Sequence, residues 1–346
     1  MASLRAREHR KAAVRAGLIY VTDAFAGIRR KRAGRGWAYY APNGARIRDP
    51  EKRLRLNRLA IPPAWTDVWI CLDPNGHVQA TGRDARRRKQ YRYHPRWRSK
   101  RDESKFDRIL AFARLLPRIR RRCDRDLGRR KLSREKVLAA VVRLLELTLI
   151  RVGNDEYARL NRSFGLTTLR DRHVTVRGSS VRFRFRGKSG RQHDVDLQDR
   201  RLANVVRRCQ ELPGQVLFQD LDDDGEPRDV SSDDVNDYLR DAAGADVTAR
   251  DFRIWSGTVL AYHALCELAP PDDPRAAKRN VIEAVRISAA GLGNTATVAR
   301  QSYIHPAVLD GYLAGDLSRV SSAADARLVK VLERTIATDA RRVSRP

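Results

Sequence analysis

Asn-Gly stands twice in the N-terminal part of this chain between short aromatic and β-branched runs, and this constrains the fold more than any other feature. Trp37-Ala38-Tyr39-Tyr40 precedes Pro42-Asn43-Gly44, and Ala45–Arg48 follows; Val68–Leu72 precedes Asp73-Pro74-Asn75-Gly76, and His77–Thr81 follows. Asn-Gly favours the φ > 0 conformations of tight hairpin turns, so each segment predicts strand, turn, strand. Between them, Glu51 to Leu59 has helical character and stops before Ile61-Pro62-Pro63, because a residue preceding proline is pushed out of the helical region. A small antiparallel β domain is expected here.

Further along, the apolar period changes. Pro95–Ser104 reads as a charged connection between domains, and Phe106–Arg122 as a helix interrupted or bent at Pro117. After a helix start at Ser133, the apolar residues Val137, Ala140, Val141, Leu144, Leu145 and Thr148 recur at helical spacing and predict a core stripe. Within a second β patch over Thr167–Leu197, Val181–Arg186 alternates apolar with basic and Gln192–Leu197 answers it across Gly187-Lys188-Ser189-Gly190. That turn is not a phosphate-binding P-loop, since strands flank it and Arg182 stands where the first glycine would be needed. Helices are expected over 199–212, 235–243, 252–268, 276–290 and 328–337, with residues 1–16 a basic arm or short helix and Asp222–Glu226 an acidic loop. The fold class is α+β: a basic β domain over 1–98 and a mostly helical catalytic domain with a small hairpin patch over 99–346.

Charge narrows the partners. The formal net charge is +29, and it is uneven: residues 1–130 hold 36 Lys and Arg against 12 Asp and Glu, residues 131–346 hold 35 against 30. An arginine-rich surface releases counterions from polyphosphates, so nucleic acid is the expected partner. Within it, Arg83 to Tyr93 interleaves cations with Tyr91 and Tyr93, which suits phosphate contacts combined with aromatic packing. Cys71, Cys123, Cys209 and Cys266 are far apart, with no pair or His cluster of metal-site spacing, so neither zinc nor a disulfide framework is expected. No run approaches the length of a signal segment or membrane span, and an intracellular, nucleoid-associated monomer without a cofactor is expected.

The chemistry concentrates in five residues in order: Arg151, Lys188, Arg253, Asn294 and Tyr303. Displacing an alkoxide from a phosphodiester builds charge on a five-coordinate phosphorus. Guanidinium forks suit its non-bridging oxygens and need no metal. A tyrosine that forms a covalent intermediate conserves the bond energy, so ATP is unnecessary. A lysine on a mobile turn has the reach to protonate the departing oxygen. Asn294 is expected at the N-cap of a helix beginning near Thr295, and Tyr303 near its end, before Pro306.

These motifs together resemble the small type IB DNA topoisomerases of the poxvirus and bacterial kind. Gly82-Arg83-Asp84 with Lys89-Gln90-Tyr91-Arg92-Tyr93, Ile150-Arg151-Val152-Gly153 with Tyr157, Phe185-Arg186-Gly187-Lys188, Arg250-Asp251-Phe252-Arg253, Gly293-Asn294 and Ser302-Tyr303 carry the likeness, over about residues 18–320. The resemblance implies Tyr303 as the nucleophile of a 3′-phosphotyrosyl link, Arg151, Arg253 and Asn294 on the phosphate, and Lys188 as general acid. It also implies that Arg83, Lys89, Gln90, Tyr91, Tyr93, Tyr157 and Arg250 contact DNA, that two domains clamp the duplex, and that neither ATP nor metal is required. Two positions depart from the common pattern. Asn294 stands where many relatives carry His, which removes a charge but keeps a donor. Arg250 stands where some carry Lys, and an arginine does not readily lose its proton. The alternatives are a tyrosine recombinase, in which His usually occupies the place of Arg250, and a non-catalytic basic DNA-binding protein.

Overall fold

Five antiparallel strands form the N-terminal sheet: β1 (Ile28–Ala33), β2 (Gly36–Tyr40), β3 (Thr66–Ile70), β4 (Val78–Arg83) and β5 (Lys89–Tyr93), in the order β2-β1-β3-β4-β5. The second expected hairpin is β3–β4, with Ile70 opposite Ala80. The first is displaced. β2 pairs back to β1, with Arg30 opposite Tyr39, while Ala45–Arg48 contributes only a bridge between Tyr40 and Arg46. Asp49 caps the next helix, α2 (Pro50–Arg58), by accepting from the Glu51 and Lys52 amides, which leaves no length for a strand. β1 carries four consecutive cations, Arg29 to Arg32, yet it buries Ile28 and Arg30. The Arg30 guanidinium donates to the carbonyls of Ile61, Pro62 and Trp65 at 2.8–3.0 Å and lies 3.9 Å from the Trp37 ring centroid. One face of the sheet packs Tyr39, Leu56, Val68 and Ile70; Trp69 and Val78 pack on the other with Val21 and Cys71. Helix α1 (Leu4–Arg15) precedes the sheet.

The computed structural model describes residues 4–34, 36–85, 87–221, 224–268, 271–315, 317, 328–330 and 332–333. It divides into Met1–Lys105 and Phe106–Pro346. The division falls inside α3 (Pro95–Leu127), a helix of 33 residues. Pro95–Ser104, expected as an irregular connection, is therefore helical, and Pro117 sits within α3 without ending it. Charged residues of good helical propensity continue a helix as readily as they form a linker.

In the second unit the apolar stripe of α4 (Arg134–Thr148) is the centre of one core: Val137 through Val142, Leu144 and Leu145 are all buried. Around α4 pack α6 (Arg200–Gln210), α7 (Ser232–Ala243) and α8 (Ala249–Glu267). Strands β6 (Val174–Arg177), β7 (Ser180–Arg186) and β8 (Gln192–Gln198) form the expected hairpin patch; in β7, Val181, Phe183 and Phe185 point inward and the arginines outward. A short helix α5 (Asp155–Asn161) follows the Arg151 segment, and β9 (Gln219–Leu221) pairs with β10 (Pro227–Asp229) around the acidic loop, of which Asp222 and Asp223 lie outside the described residues. The chain then runs through α9 (Pro274–Gly291), α10 (Ala296–Ser302) and α11 (Pro306–Leu313). Of the helix expected over 328–337, residues 328–330 and 332–333 are helical, and the rest lies outside the described residues. No helix among the described residues is long and apolar enough to cross a membrane.

Candidate active site

Four segments of the second unit converge on one cleft of about 270 Å³, lined by Arg151, Tyr157, Lys188, Arg250, Arg253 and Tyr303 among others. Each is placed by its own local device.

Arg151 follows α4, which ends at Leu149 in a left-handed conformation. Its backbone is pinned in a sheet-like register: the Leu166 amide donates to Arg151 O at 2.8 Å and the Thr167 amide to Val152 O at 2.7 Å. Gly153 and Gly165 make this approach possible. A methyl on Gly165 would lie 2.6 Å from Gly153 Cα, inside any tolerable contact, and Gly153 itself has φ +114°.

Arg253 comes from the first turns of α8, whose start is fixed by a reciprocal cap between Thr248 and Asp251. Arg250 and Arg253 are three apart and share a helix face. A cation near a helix N-terminus opposes the helix dipole, so helix stability does not explain Arg253. Arg253 is only 4 % exposed. It donates to Leu149 O and, at 2.7 Å, to Leu292 O. These carbonyls end α4 and α9, where the helix dipoles are negative. Partial charges thus hold a buried cation without neutralising it: among the described residues no carboxylate pairs with Arg151, Lys188 or Arg253. Burial first, and then Arg151, lowers the Arg253 pKa to about 10. The group stays charged at neutral pH.

Tyr303 closes α10 as its C-cap. Its segment lies directly on α8, where a methyl on Gly257 would meet Tyr303 O at 2.6 Å. Thr258 Oγ1 accepts from the His305 amide at 3.0 Å and donates to Ile254 O at 2.7 Å, while Ser288 Oγ donates to Gly257 O at 2.8 Å. The Arg253 guanidinium carbon is 5.1 Å from the Tyr303 ring centroid. Burial pushes the phenol pKa up, but Arg253, Arg151 and Arg250 outweigh it, and the net direction is downward.

Asn294 is not the N-cap of α10; Thr295 is, accepting from the Val298 amide at 3.3 Å. A β-hydroxyl one residue later fills the role, which frees Asn294. Asn294 Oδ1 accepts from Arg151 Nη2 at 2.5 Å, an arrangement that assigns the amide orientation, since a cation cannot donate to Nδ2. Its Nδ2, like Arg253 Nε, is buried without a hydrogen-bond partner. Arg253 lines the cleft, and Asn294, which does not, is joined to it through Arg151; open buried donors beside clustered cations suit an anionic ligand, because an unsatisfied buried donor costs about 1–3 kcal/mol.

Lys188 is exposed at the turn between β7 and β8, with Nζ 5.8 Å from the Tyr157 ring centroid. The turn is not isolated, as its sequence suggests. Arg191 Nη1 donates to Asn294 O at 2.8 Å, and the His193 ring lies against Gly187 and Gly293. Neither Arg191 nor His193 stands out in the sequence. Strand parity places His193 on the inward face with Val195 and Leu197, but the Asn294 loop it meets is a hundred residues away.

The remaining expected DNA contacts, Arg83, Lys89, Gln90, Tyr91 and Tyr93, lie on β4 and β5 of the first unit. Tyr91 and Tyr93 are 44 % and 39 % exposed and stack on each other with centroids 5.7 Å apart. Lys89 pairs with Asp23 at 2.6 Å, Gln90 Nε2 donates to Asp84 at 2.9 Å, and Arg83 lies 3.7 Å from Asp67.

Comparison with known proteins bears on the whole assembly. Residues 94–315 match the family described as eukaryotic DNA topoisomerase I, catalytic core, and residues 36–84 match the bacterial DNA topoisomerase IB N-terminal domain. The chain is also 30 % identical over 293 residues to the DNA topoisomerase 1B of Acanthamoeba polyphaga mimivirus, covering 83 % of this chain and 87 % of that one. Two matched regions in the right order, and a relative aligned across both, show that this chain belongs to the type IB DNA topoisomerases, isomerases that act on DNA by strand cleavage and religation.

Proposed function

We propose that Tyr303 attacks a DNA phosphodiester and that the chain relaxes supercoils through a 3′-phosphotyrosyl intermediate, without ATP and without a required metal. The observation that carries this reading is the convergence of Tyr303, Arg253, Arg151 and Lys188 in one cleft. In the forward step the Tyr303 oxygen bonds to phosphorus and the bond from phosphorus to the 5′-oxygen breaks. The phenol proton leaves to solvent, helped by the guanidiniums that lower its pKa. Arg151, Arg253 and the open Nδ2 of Asn294 hold the non-bridging oxygens, where charge builds in the transition state. Lys188 gives its proton to the departing 5′-oxygen. Religation runs the same path backwards: the 5′-hydroxyl attacks, Lys188 recovers its proton and Tyr303 leaves. No bond energy is lost in between, so no nucleotide is consumed. Arg83, Lys89, Gln90, Tyr91, Tyr93, Tyr157 and Arg250 bind the duplex, and one copy of the chain suffices.

The test is Tyr303→Phe. Relaxation and the covalent protein–DNA adduct trapped by detergent should both vanish, while DNA affinity changes by less than about 2-fold, because binding rests on many phosphate contacts. A residual adduct would assign the nucleophile to another residue. Wild-type single-turnover cleavage should persist in EDTA; its strict loss would overturn the metal-independent reading.

A further inference from the structure

Two glycines, each immediately before a residue of the proposed chemistry, close on one imidazole. Gly187 precedes Lys188 and Gly293 precedes Asn294. A methyl on Gly187 would lie 2.6 Å from His193 Cδ2 and Nε2, and one on Gly293 would lie 3.1 Å from His193 Cε1. The ring is also stacked on Phe185, with centroids 4.8 Å apart and planes 5° from parallel. Arg191, two residues earlier, reaches the same loop through its bond to Asn294 O.

We infer that His193, together with Arg191, latches the Lys188 turn onto the Gly293–Asn294 loop, and that His193 is a positioning residue for the step in which Lys188 acts. This rests on the reading of Lys188 as proton donor. A general acid must stand within hydrogen-bond reach of the oxygen it protonates, and a displacement of about 1 Å costs on the order of 10²-fold. A two-strand turn held only at its base does not meet that tolerance. The imidazole braces the turn from beside Lys188 and rests on the loop that holds Asn294 and, through it, Arg151. It works by shape. Burial lowers its pKa, and Arg151, Arg253 and Arg191 lower it further, so the ring is neutral where a fourth cation would be repelled.

The experiment compares His193→Ala, His193→Phe and Gly187→Ala in single-turnover cleavage, on normal DNA and on DNA with sulfur in place of the bridging 5′-oxygen. A thiolate leaves without protonation, since a thiol's pKa is about 8.5 and a sugar alcohol's is far higher. His193→Ala should cut normal DNA roughly 10- to 100-fold more slowly and sulfur-bridged DNA within about 3-fold of wild type. His193→Phe, which keeps a planar ring for the stack and the wedge, should stay within about 5-fold on both. Gly187 has φ −93°, a conformation open to any residue, so Gly187→Ala changes only the space for the ring and should reproduce the His193→Ala defect. Equal slowing of His193→Ala on both substrates, or a His193→Phe as slow as His193→Ala, would overturn the latch and leave a packing residue. Should Lys188→Ala itself fail to be rescued by sulfur, the proton-donor reading falls. The latch is then judged on normal DNA, where the effects of His193→Ala and Lys188→Ala must be less than additive; full additivity overturns it.

Discussion

Lys89 in the first unit and Arg253 in the second are both cations expected at DNA, and their surroundings differ. Lys89 is exposed and bonded to a carboxylate, Asp23, at 2.6 Å. Gln90 and Arg88 beside it lean on Asp84. Arg253 is buried, backed by the carbonyls that end two helices, and paired with no acid among the described residues. An exposed ion pair is worth about 0–1 kcal/mol and is screened by salt, so Lys89 can exchange its carboxylate for a phosphate at little cost. Such cations are numerous and individually replaceable. A buried, un-neutralised cation keeps its charge and its place, as stabilisation of transition-state charge requires. Under the proposed function, one unit would supply affinity that salt weakens and the other a rate that depends on single groups.

The sharpest way to break this contrast is to remove single charges from the second unit. Lys188→Ala should slow cleavage by roughly 10²–10⁴. On sulfur-bridged DNA it should return close to the wild-type rate, while Arg151→Ala and Arg253→Ala stay slow, because their work on the non-bridging oxygens does not depend on the leaving group. A Lys188→Ala enzyme that sulfur does not rescue would make the lysine a phosphate contact like those of the first unit.

A smaller effect is expected from Gly257→Ala. The added methyl meets Tyr303 O at 2.6 Å, and both partners are backbone-anchored, so the tyrosine segment must move. Overpacking of this kind costs about 1–3 kcal/mol in stability, and a displaced nucleophile should slow cleavage on the order of 10²-fold. DNA affinity should hardly change. A wild-type cleavage rate would show that the tyrosine's placement does not depend on α8.

The pH–rate profile of cleavage tests the electrostatics. The guanidiniums of Arg253, Arg151 and Arg250 outweigh burial at Tyr303, so its phenol ionises below the ordinary value of about 10 and the rate should level off below that pH. Replacing Arg253 by Ala removes positive charge, destabilises the phenolate and should move the limb to higher pH. A limb that does not move, or moves down, would mean that Arg253 does not act on the phenol.

The smallest effects belong to the first unit. Lys89→Ala should weaken DNA binding only a few-fold, reducing the dependence of log K on log salt by about one, with no change in cleavage at saturating DNA. Tyr91→Ala should cost about 1–3 kcal/mol of affinity if its face stacks on a base or sugar, and less if it does not. A loss of cleavage rate at saturation from either variant would erase the distinction between the units.

Local pattern determined much of this protein. The β3–β4 turn, the alternation of β7, the stripe of α4 and the helices of the second unit are readable because neighbours in sequence share a period of two or 3.6. The composition and order of the five candidate residues were readable too, and with them the family. The tertiary structure decided what no short window contains. Ile28–Ala33 holds four consecutive cations, and only the carbonyls of Ile61, Pro62 and Trp65 turn Arg30 into a core residue. Thr295 displaced Asn294 from the cap, and the partner that then defines Asn294, Arg151, is 143 residues away. The Lys188 turn looks free until Arg191 and His193 meet the Gly293–Asn294 loop. Periodicity reports which face of an element is buried; it does not report which distant element covers it, and a buried cation's charge is set by that distant partner.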